Sequence, residues 1–190
     1  MAIGGAGALA AHQWDGEVVE ESQQHLRPSV FETGNIGGGF LIQTGASFGL
    51  YSVARLAGSD DFAALGADLT RAHILTQGIV HAAKFASRRA RPDGSDRYSL
   101  PSGHTASAFA TGTVLQRHFG WKAGIPAYGF GAYVAASRMS ANKHHLSDVL
   151  LGAAIGVAAG RTVTLGPGKA QFNVGVAPTH GGAAITFTKH

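Results

Sequence analysis

The sequence contains no cysteine, which excludes disulfide bonds, thiolate zinc sites and thiol catalysis. Charged residues are also scarce, at 14% of the chain against 45% hydrophobic residues, which is typical of a globular chain with an apolar interior. The 28 glycines are spread through apolar segments, without a collagen period or Ser/Pro tracts. They therefore favour close helix packing over disorder.

The length and the net charge narrow the possibilities further. A chain of 190 residues is long enough for one good core and short for two domains, so we expect a single domain over residues 1–190. The net charge of +4 would be compatible with nucleic-acid binding. However, the basic residues do not alternate with aromatic residues along a stripe, and they match no known nucleic-acid-binding motif. We expect no nucleic-acid partner, and an enzyme for anionic small molecules is favoured.

Apolar periodicity predicts helices through most of the chain. The segment Met1–Ala11 is either the trimmed remnant of a secretion signal or a first helix, and its weak apolar character favours the helix. Asp15 is expected to cap a short exposed helix. The uncharged stretch 33–54 suits a bilayer span or a buried bundle helix. Further helices are predicted at about 62–90, 102–118, 123–137 and 145–163, and alternating residues predict a β-hairpin over 170–190.

Lys84 and Arg91 form the first of three clusters that stand out between the predicted helices. They lie two helical turns apart, so both should point to one face at a helix end. Arginine offers a planar fork for two phosphate oxygens, and lysine a compact charge. On its own this cluster favours a solvated basic patch, because Arg88 and Arg89 lie between the two residues.

The second cluster, Pro101-Ser102-Gly103-His104, predicts an anion site at a helix start. Ser102 would cap the helix and Gly103 would let an anion approach bare backbone, where free N–H groups and the helix dipole face it. His104, in the first turn, could give a proton to an oxygen of the bound group. An ordinary N-cap with an exposed histidine is the alternative, and the flanking basic clusters make it less favoured.

The third cluster is Ser137-Arg138 followed by His144 and Asp148. His144 and Asp148 are four positions apart and share a face if the helix begins there. A carboxylate on one ring nitrogen leaves the other unprotonated and nucleophilic, while Arg138 supplies a third cation. In isolation, a structural His–Asp pair would be the favoured interpretation.

Together these clusters read Lys-x6-Arg-Pro, Pro-Ser-Gly-His and Ser-Arg-x5-His-x3-Asp, which resembles the three-part signature of the type-2 phosphatidic acid phosphatase family. Its superfamily also holds bacterial class A acid phosphatases, glucose-6-phosphatase and the vanadium haloperoxidases. The resemblance implies a mainly α fold, a helical bundle of the acid phosphatase/vanadium haloperoxidase type. Residues 31–164 would form this phosphatase core, with the C-terminal β-hairpin appended to it.

The resemblance also implies roles by position. His144 resembles the nucleophile that forms a phosphohistidine, Asp148 the residue that orients it, and His104 the general acid that later activates water. The residues implied to hold the phosphoryl oxygens are Lys84, Arg91, Ser102, Gly103 and Arg138. No metal or cofactor is expected, although vanadate could bind as a phosphate mimic.

Some histidines and one tyrosine remain ambiguous. Spacing favours His144 as the nucleophile, but chemistry alone does not exclude its neighbour His145. Tyr98 could line the pocket mouth or simply pack. The histidines without a signature are interpreted as surface or core residues: His12, His25, His73, His81, His118 and His180.

The expected function is a metal-independent phosphatase that hydrolyses a phosphomonoester or pyrophosphate of a lipid or small molecule. The main alternative is a vanadium-dependent haloperoxidase, which is less favoured because the haloperoxidases resembled are usually much larger. A non-catalytic anion-binding scaffold is a third alternative, and it is disfavoured because His104 and His144 would then have no proton-transfer role. The uncharged stretches 123–137 and 149–160 fall short of a bilayer span. We therefore expect a soluble or peripherally membrane-attached protein of the bacterial cell envelope, in the periplasm.

Overall fold

The computed structural model describes residues 2–25, 28–165, 173–179 and 182–188, and this part of the chain is mainly helical. The mainly α fold predicted from periodicity is confirmed. The helices are α1 (Ala2–Ala11), α2 (Asp15–His25), α3 (Pro28–Gly37), α4 (Phe40–Leu56), α5 (Asp60–Ser87), α6 (Gly103–Phe119), α7 (Trp121–Ser140) and α8 (Leu146–Val163). Two strands, β1 (Asn173–Thr179) and β2 (Gly182–Thr188), pair antiparallel within the segment 170–190.

The end of α5 differs from the prediction. The helix ends at Ser87 rather than near residue 90, because Arg88 adopts a left-handed conformation with a φ of 44°. The chain has therefore already left the helix before Pro92. Arg91 lies in the following loop, so the prediction that it shares a helix face with Lys84 is wrong.

Two other segments also depart from the expectations. The uncharged stretch 33–54 is divided between α3 and α4, with Gly38 and an extended Gly39 between them, so it is not one continuous helix. Asp15 begins α2 as the first residue of that helix, but its side chain is buried, with only 4% of the residue exposed. Asp15 thus begins the helix rather than preceding it as the cap, while most of α2 is exposed, as predicted.

Close contact between α6 and α8 fixes the geometry of the bundle. A Cβ built on Gly152 would lie 2.5 Å from the carbonyl oxygen of Ser102, and one on Gly156 would lie 2.2 Å from that of Ala106. Both contacts advance in the same direction along the two helices. The helices therefore run parallel, and their N-terminal ends lie together at one end of the bundle.

Gly156→Ala is expected to destabilise the fold, because the new methyl group forces the backbones of α6 and α8 apart. Overpacking of this kind costs about 1–3 kcal/mol. The matched control is Gly78→Ala on α5, where an added Cβ meets nothing within 4 Å and alanine favours the helix by up to about 1 kcal/mol. Thermal unfolding followed by circular dichroism should give a lower Tm for the first variant only. Equal Tm values for the two variants would contradict the close approach.

Within the described residues, α8 is the one helix whose length and apolar character would suffice to cross a bilayer. The helix has 18 residues and extends beyond the uncharged stretch 149–160 at both ends. Of these residues, 44% are buried inside the bundle. A core helix of a soluble protein has the same properties, so this helix alone does not decide the location of the protein.

Candidate active site

Four helix ends meet where the sequence clusters lie. Lys84 is in the last turn of α5, Arg138 is in the last turn of α7, His104 is in the first turn of α6, and His144 immediately precedes the His145 cap of α8. A pocket of about 240 Å³ is lined by Phe40, Gln77, His81, Lys84, Arg91, Gly103, His104, Arg138 and His144. Six of the predicted site residues, distant in sequence, thus surround one cavity. The N-terminal ends of α6 and α8 lie at the same place, where their dipoles favour an anion.

The three cations are held by neighbouring oxygen atoms. Lys84 Nζ donates to the carbonyl oxygen of Tyr98. Arg91 Nε donates to Asp96 Oδ1 at 2.8 Å. Arg138 Nη1 donates to Asn35 Oδ1 at 2.7 Å, whereas its Nε is buried without a hydrogen-bond partner in the described part of the chain.

These cations also depress each other's proton affinity and that of the histidines. Burial, with a further contribution from Arg91, lowers the pKa of Lys84 to about 8. Burial, followed by the charge of Arg138, lowers the pKa of His104 to about 4, and burial likewise lowers that of His144 to about 4. Both imidazoles are therefore neutral near neutral pH when no anion is bound. An oxyanion in the pocket would oppose these shifts, because it stabilises the protonated forms.

His144 lies between the pocket and a buried carboxylate. Its Nε2 is 3.4 Å from Arg91 Nη1, on the pocket side. Its Nδ1 is 3.7 Å from Asp148 Oδ2, a separation longer than a hydrogen bond, and it has no other partner among the described residues. Only 2% of His144 is exposed. The arrangement directs Nε2 toward a bound anion and Nδ1 toward a negative charge.

Asp148 is fully buried behind His144 and does not line the pocket. Burial alone would raise the pKa of its carboxyl group, but interactions with His144, His145 and the Ser99 hydroxyl lower it overall. Asp148 Oδ2 accepts from the backbone N–H of His145 at 2.9 Å and from the Ser99 hydroxyl. This carboxylate therefore stays ionised at neutral pH.

His145 occupies a different place from His144. It is the N-cap residue of α8, and its Nδ1 lies 3.2 Å from Asp148 Oδ2. Its side chain does not line the pocket. The geometry thus favours His144 over His145 as the residue that meets a bound anion.

Ser102 caps α6 as predicted, with its Oγ accepting from the backbone N–H of Thr105 at 3.4 Å. The Ser102 hydroxyl is also 2.9 Å from Thr105 Oγ1 and fully buried, and it does not line the pocket. Accepting at the cap leaves the Ser102 hydroxyl proton available to donate, so its contact with a phosphoryl oxygen stays a prediction. Gly103 is the residue of this cluster that lines the pocket beside His104.

Three pocket residues were missed in the sequence. Gln77 and His81 precede Lys84 at helical spacing on α5 and line the same cavity, so this periodicity could have revealed them. Gln77 Nε2 donates to the Gly103 carbonyl oxygen at 3.1 Å and supports the start of α6. Phe40, at the start of α4, carries no comparable sequence signal. His81 is exposed, as its interpretation as a surface or core residue allows, and it also lines the pocket.

Tyr98 lies near the pocket without lining it. Its ring packs edge-on against that of Phe85, with centroids 5.7 Å apart, so the packing alternative describes its side chain. Among the remaining histidines, His73 is fully buried in the bundle, as expected of a core residue. His180 lies outside the described residues.

Comparisons with known proteins agree with the signature. Residues 93–171 match the model of the PAP2 superfamily. The chain is 40% identical over 89 residues to lipid A 1-phosphatase of Porphyromonas gingivalis, covering 45% of this chain and 20% of the relative. It is 27% identical over 106 residues to lipid A 4'-phosphatase of Helicobacter pylori, covering 50% of this chain and 53% of the relative. The chain thus spans about half or less of the length of these relatives.

Two crystal structures share the fold. Aquifex aeolicus LpxE superposes with a TM-score of 0.63 at 21% identity, covering 78% of this chain and 93% of that one. A transmembrane PAP2 type phosphatidylglycerolphosphate phosphatase from Bacillus subtilis superposes with a TM-score of 0.56 at 21% identity, covering 82% of this chain and 88% of that one. Together with the complete signature, the family match over residues 93–171 and the lipid A phosphatase relatives support the resemblance of the chain to the PAP2 superfamily of type-2 phosphatidic acid phosphatases.

Proposed function

We propose that this protein is a phosphatase that removes a phosphoryl group from a phosphorylated lipid. The observation that carries the proposal is the pocket itself, in which three cations and three imidazoles, those of His81, His104 and His144, surround a cavity of about 240 Å³. Guanidinium and ammonium groups in a fixed array are the donors that stabilise a phosphoryl group during transfer. The lipid is suggested by the names of the relatives, both of which are lipid A phosphatases.

The first step would be attack of His144 Nε2 on the phosphorus atom. The N–P bond forms as the bond from phosphorus to the leaving oxygen breaks, while Lys84, Arg91 and Arg138 stabilise the phosphoryl oxygens. His104 would give its proton to the leaving oxygen. For this it must be protonated, and the negative charge of a bound substrate would raise its pKa, which burial lowers to about 4.

The second step would release phosphate. His104, now neutral, takes a proton from a water molecule as that water attacks the phosphohistidine, and the N–P bond breaks. Inorganic phosphate leaves, His144 returns to its neutral form and His104 is protonated again. The cations of this chain supply the charge in both steps, so we propose that no metal or cofactor is needed.

The depressed pKa of Lys84 gives a prediction about pH. Its positive charge is lost as the pH rises through about 8, so kcat/KM should decline above that value. Lys84→Arg keeps its charge to much higher pH and should move the alkaline limb of kcat/KM upward, even if it lowers the maximum. The measurement is kcat/KM across the neutral and alkaline range for both proteins. Superimposable alkaline limbs would assign the decline to another group.

We further propose that the protein is attached to a membrane of the bacterial cell envelope, with its site in the periplasm. The support is the outer surface of α4, where large apolar side chains face outward: Leu41 is 80% exposed and Leu56 is 90% exposed. Phe48 and Val53, on the same helix, are also exposed. Exposed large apolar side chains grouped on one helix are typical of a surface that contacts a membrane or another protein. Recovery of the protein in the aqueous phase without detergent would favour the soluble alternative.

The function is tested with a panel of phosphorylated lipids and soluble phosphomonoesters, assayed with and without a chelator. We expect phosphate release from a lipid phosphate to be retained in chelator. His144→Ala, purified in the same way, controls for contaminating phosphatases. Activity that requires a divalent metal would contradict the proposed mechanism. Halide oxidation with vanadate and peroxide at a comparable rate would indicate a haloperoxidase instead.

A further inference from the structure

Arg89 lies directly against the carboxylate behind His144. Its Nη1 donates to Asp148 Oδ1 at 2.7 Å and to Ser147 Oγ at 2.6 Å. The sequence alone favoured a solvated basic patch here, but the Arg89 side chain is only 19% exposed. Asp148 Oδ2 is meanwhile engaged by His145 and Ser99. Both carboxylate oxygens are therefore fixed, and Arg89 holds the one that faces away from His144.

A second buried carboxylate holds Arg89 from the other side. Asp15 Oδ2 accepts from Arg89 Nη2 at 2.7 Å and from Ser147 Oγ at 2.7 Å, and Asp15 Oδ1 accepts from the Ser147 backbone N–H at 2.9 Å. Asp15 thus binds both the guanidinium and the first turn of α8. Hydrogen bonds within this cluster lower the pKa of Asp15 although burial opposes them. One guanidinium is therefore bound between two buried carboxylates.

We infer that Arg89, anchored by Asp15, is a positioning residue that fixes the Asp148 carboxylate and through it the orientation and proton affinity of His144. The inference rests on the phosphatase function proposed above. Neither Arg89 nor Asp15 lies within the residues matched by the family model, 93–171, and neither lines the pocket. Both residues act through Asp148 and do not touch the substrate.

The charge of Arg89 determines what Asp148 does to His144. A guanidinium on Oδ1 offsets part of the carboxylate charge, so Asp148 stabilises the protonated imidazole less than a bare carboxylate would. Removing that charge should raise the pKa of His144 and protonate the nucleophile at higher pH. The other titratable or charged groups around His144 stay in place: Lys84 on α5, His104 on α6, Arg138 on α7, Arg91 in the preceding loop, and His145 and Asp148 at the start of α8.

Arg89→Gln is the test, because glutamine keeps hydrogen-bond donors but removes the charge. We expect kcat to fall about 10- to 100-fold, as displacement of a reacting group costs, with KM changed less than about twofold. The acid limb of kcat/KM should move to higher pH. Arg89→Lys should recover part of kcat and of the pH shift. Arg88→Gln, at the exposed neighbouring position, is the matched control and should behave as the unmodified protein.

Asp15→Asn tests the anchor. It should lower kcat by less than Arg89→Gln does, and the double variant should be no slower than Arg89→Gln alone, since both changes act through one contact. Additive losses would contradict a shared role. If Arg89→Gln does not unfold cooperatively, Asp15→Asn decides the matter: an unchanged kcat in that folded variant overturns the inference.

The two proposals fail in different ways. An unmodified protein that releases phosphate from no compound in the panel would remove the proposed function. An active unmodified protein whose Arg89→Gln variant has normal kcat and an unmoved acid limb would overturn the positioning role alone. Loss of thermal stability in Arg89→Gln with unchanged kcat per folded molecule would likewise indicate a merely structural ion pair.

Discussion

His144→Ala is expected to lower kcat by about 10⁴-fold or more, since removing a nucleophile leaves only the residual effect of the binding groups. The structure gives a specific reason to choose this residue. His144 lines the pocket with Nε2 beside Arg91, and Asp148 lies on its other side. The measurement is the rate of phosphate release under saturating substrate, with folding checked by thermal unfolding.

His145→Ala is the matched control for this prediction. His145 contacts Asp148 through its ring and its backbone N–H, and only the ring contact is lost in alanine. We expect the variant to keep kcat within about tenfold, because the backbone donor still holds the carboxylate. If His145→Ala abolishes turnover while His144→Ala retains it, the nucleophile must be reassigned.

His104→Ala is expected to lower kcat by about 10²- to 10⁴-fold for a substrate with a poor leaving group, the range that general acid catalysis supplies. The loss should be much smaller for an aryl phosphate whose phenolate leaves without protonation. His104 is placed for this role in the first turn of α6, where it lines the same pocket as His144. The measurement is kcat for an alkyl and an aryl phosphate in both proteins.

The matched control is His118→Ala, at the far end of the same helix, where His118 Nε2 lies 3.0 Å from Asp68 Oδ2. It should leave both substrates unaffected. Equal losses for alkyl and aryl phosphates in His104→Ala would indicate that His104 contributes binding or structure and does not protonate the leaving group.

The helical fold and the gathering of the site could be predicted because the signature residues sit at helix ends. A capping serine, a glycine and a proline mark those ends in the sequence, and parallel packing of α6 on α8 then brings them together. The path of the chain between Ser87 and Pro92 could not be predicted. It depends on a left-handed Arg88, a conformation that arginine rarely adopts.

Contacts between segments that are distant in the chain could not be predicted from the sequence either. Asp15 accepts hydrogen bonds from Arg89, 74 positions away, and from Ser147, 132 positions away. No periodicity in the sequence around these residues predicts the contacts. Ser102 is fully buried, and its hydroxyl accepts a hydrogen bond from the Thr105 N–H at the start of α6. Local spacing thus identifies which residues can act, whereas tertiary packing decides which of their atoms face the pocket.

Rapid quenching of the enzyme with a phosphate-labelled substrate tests the central claim most directly. We predict that labelled phosphate is captured on the protein, that the bond is labile to acid and stable to base as a phosphoramidate should be, and that peptide mapping places it on His144. The label should be absent from His144→Ala and should accumulate in His104→Ala with an aryl phosphate, since water activation is then slow. Turnover of labelled substrate without any protein-bound phosphate, or with the label on another residue, would contradict the account.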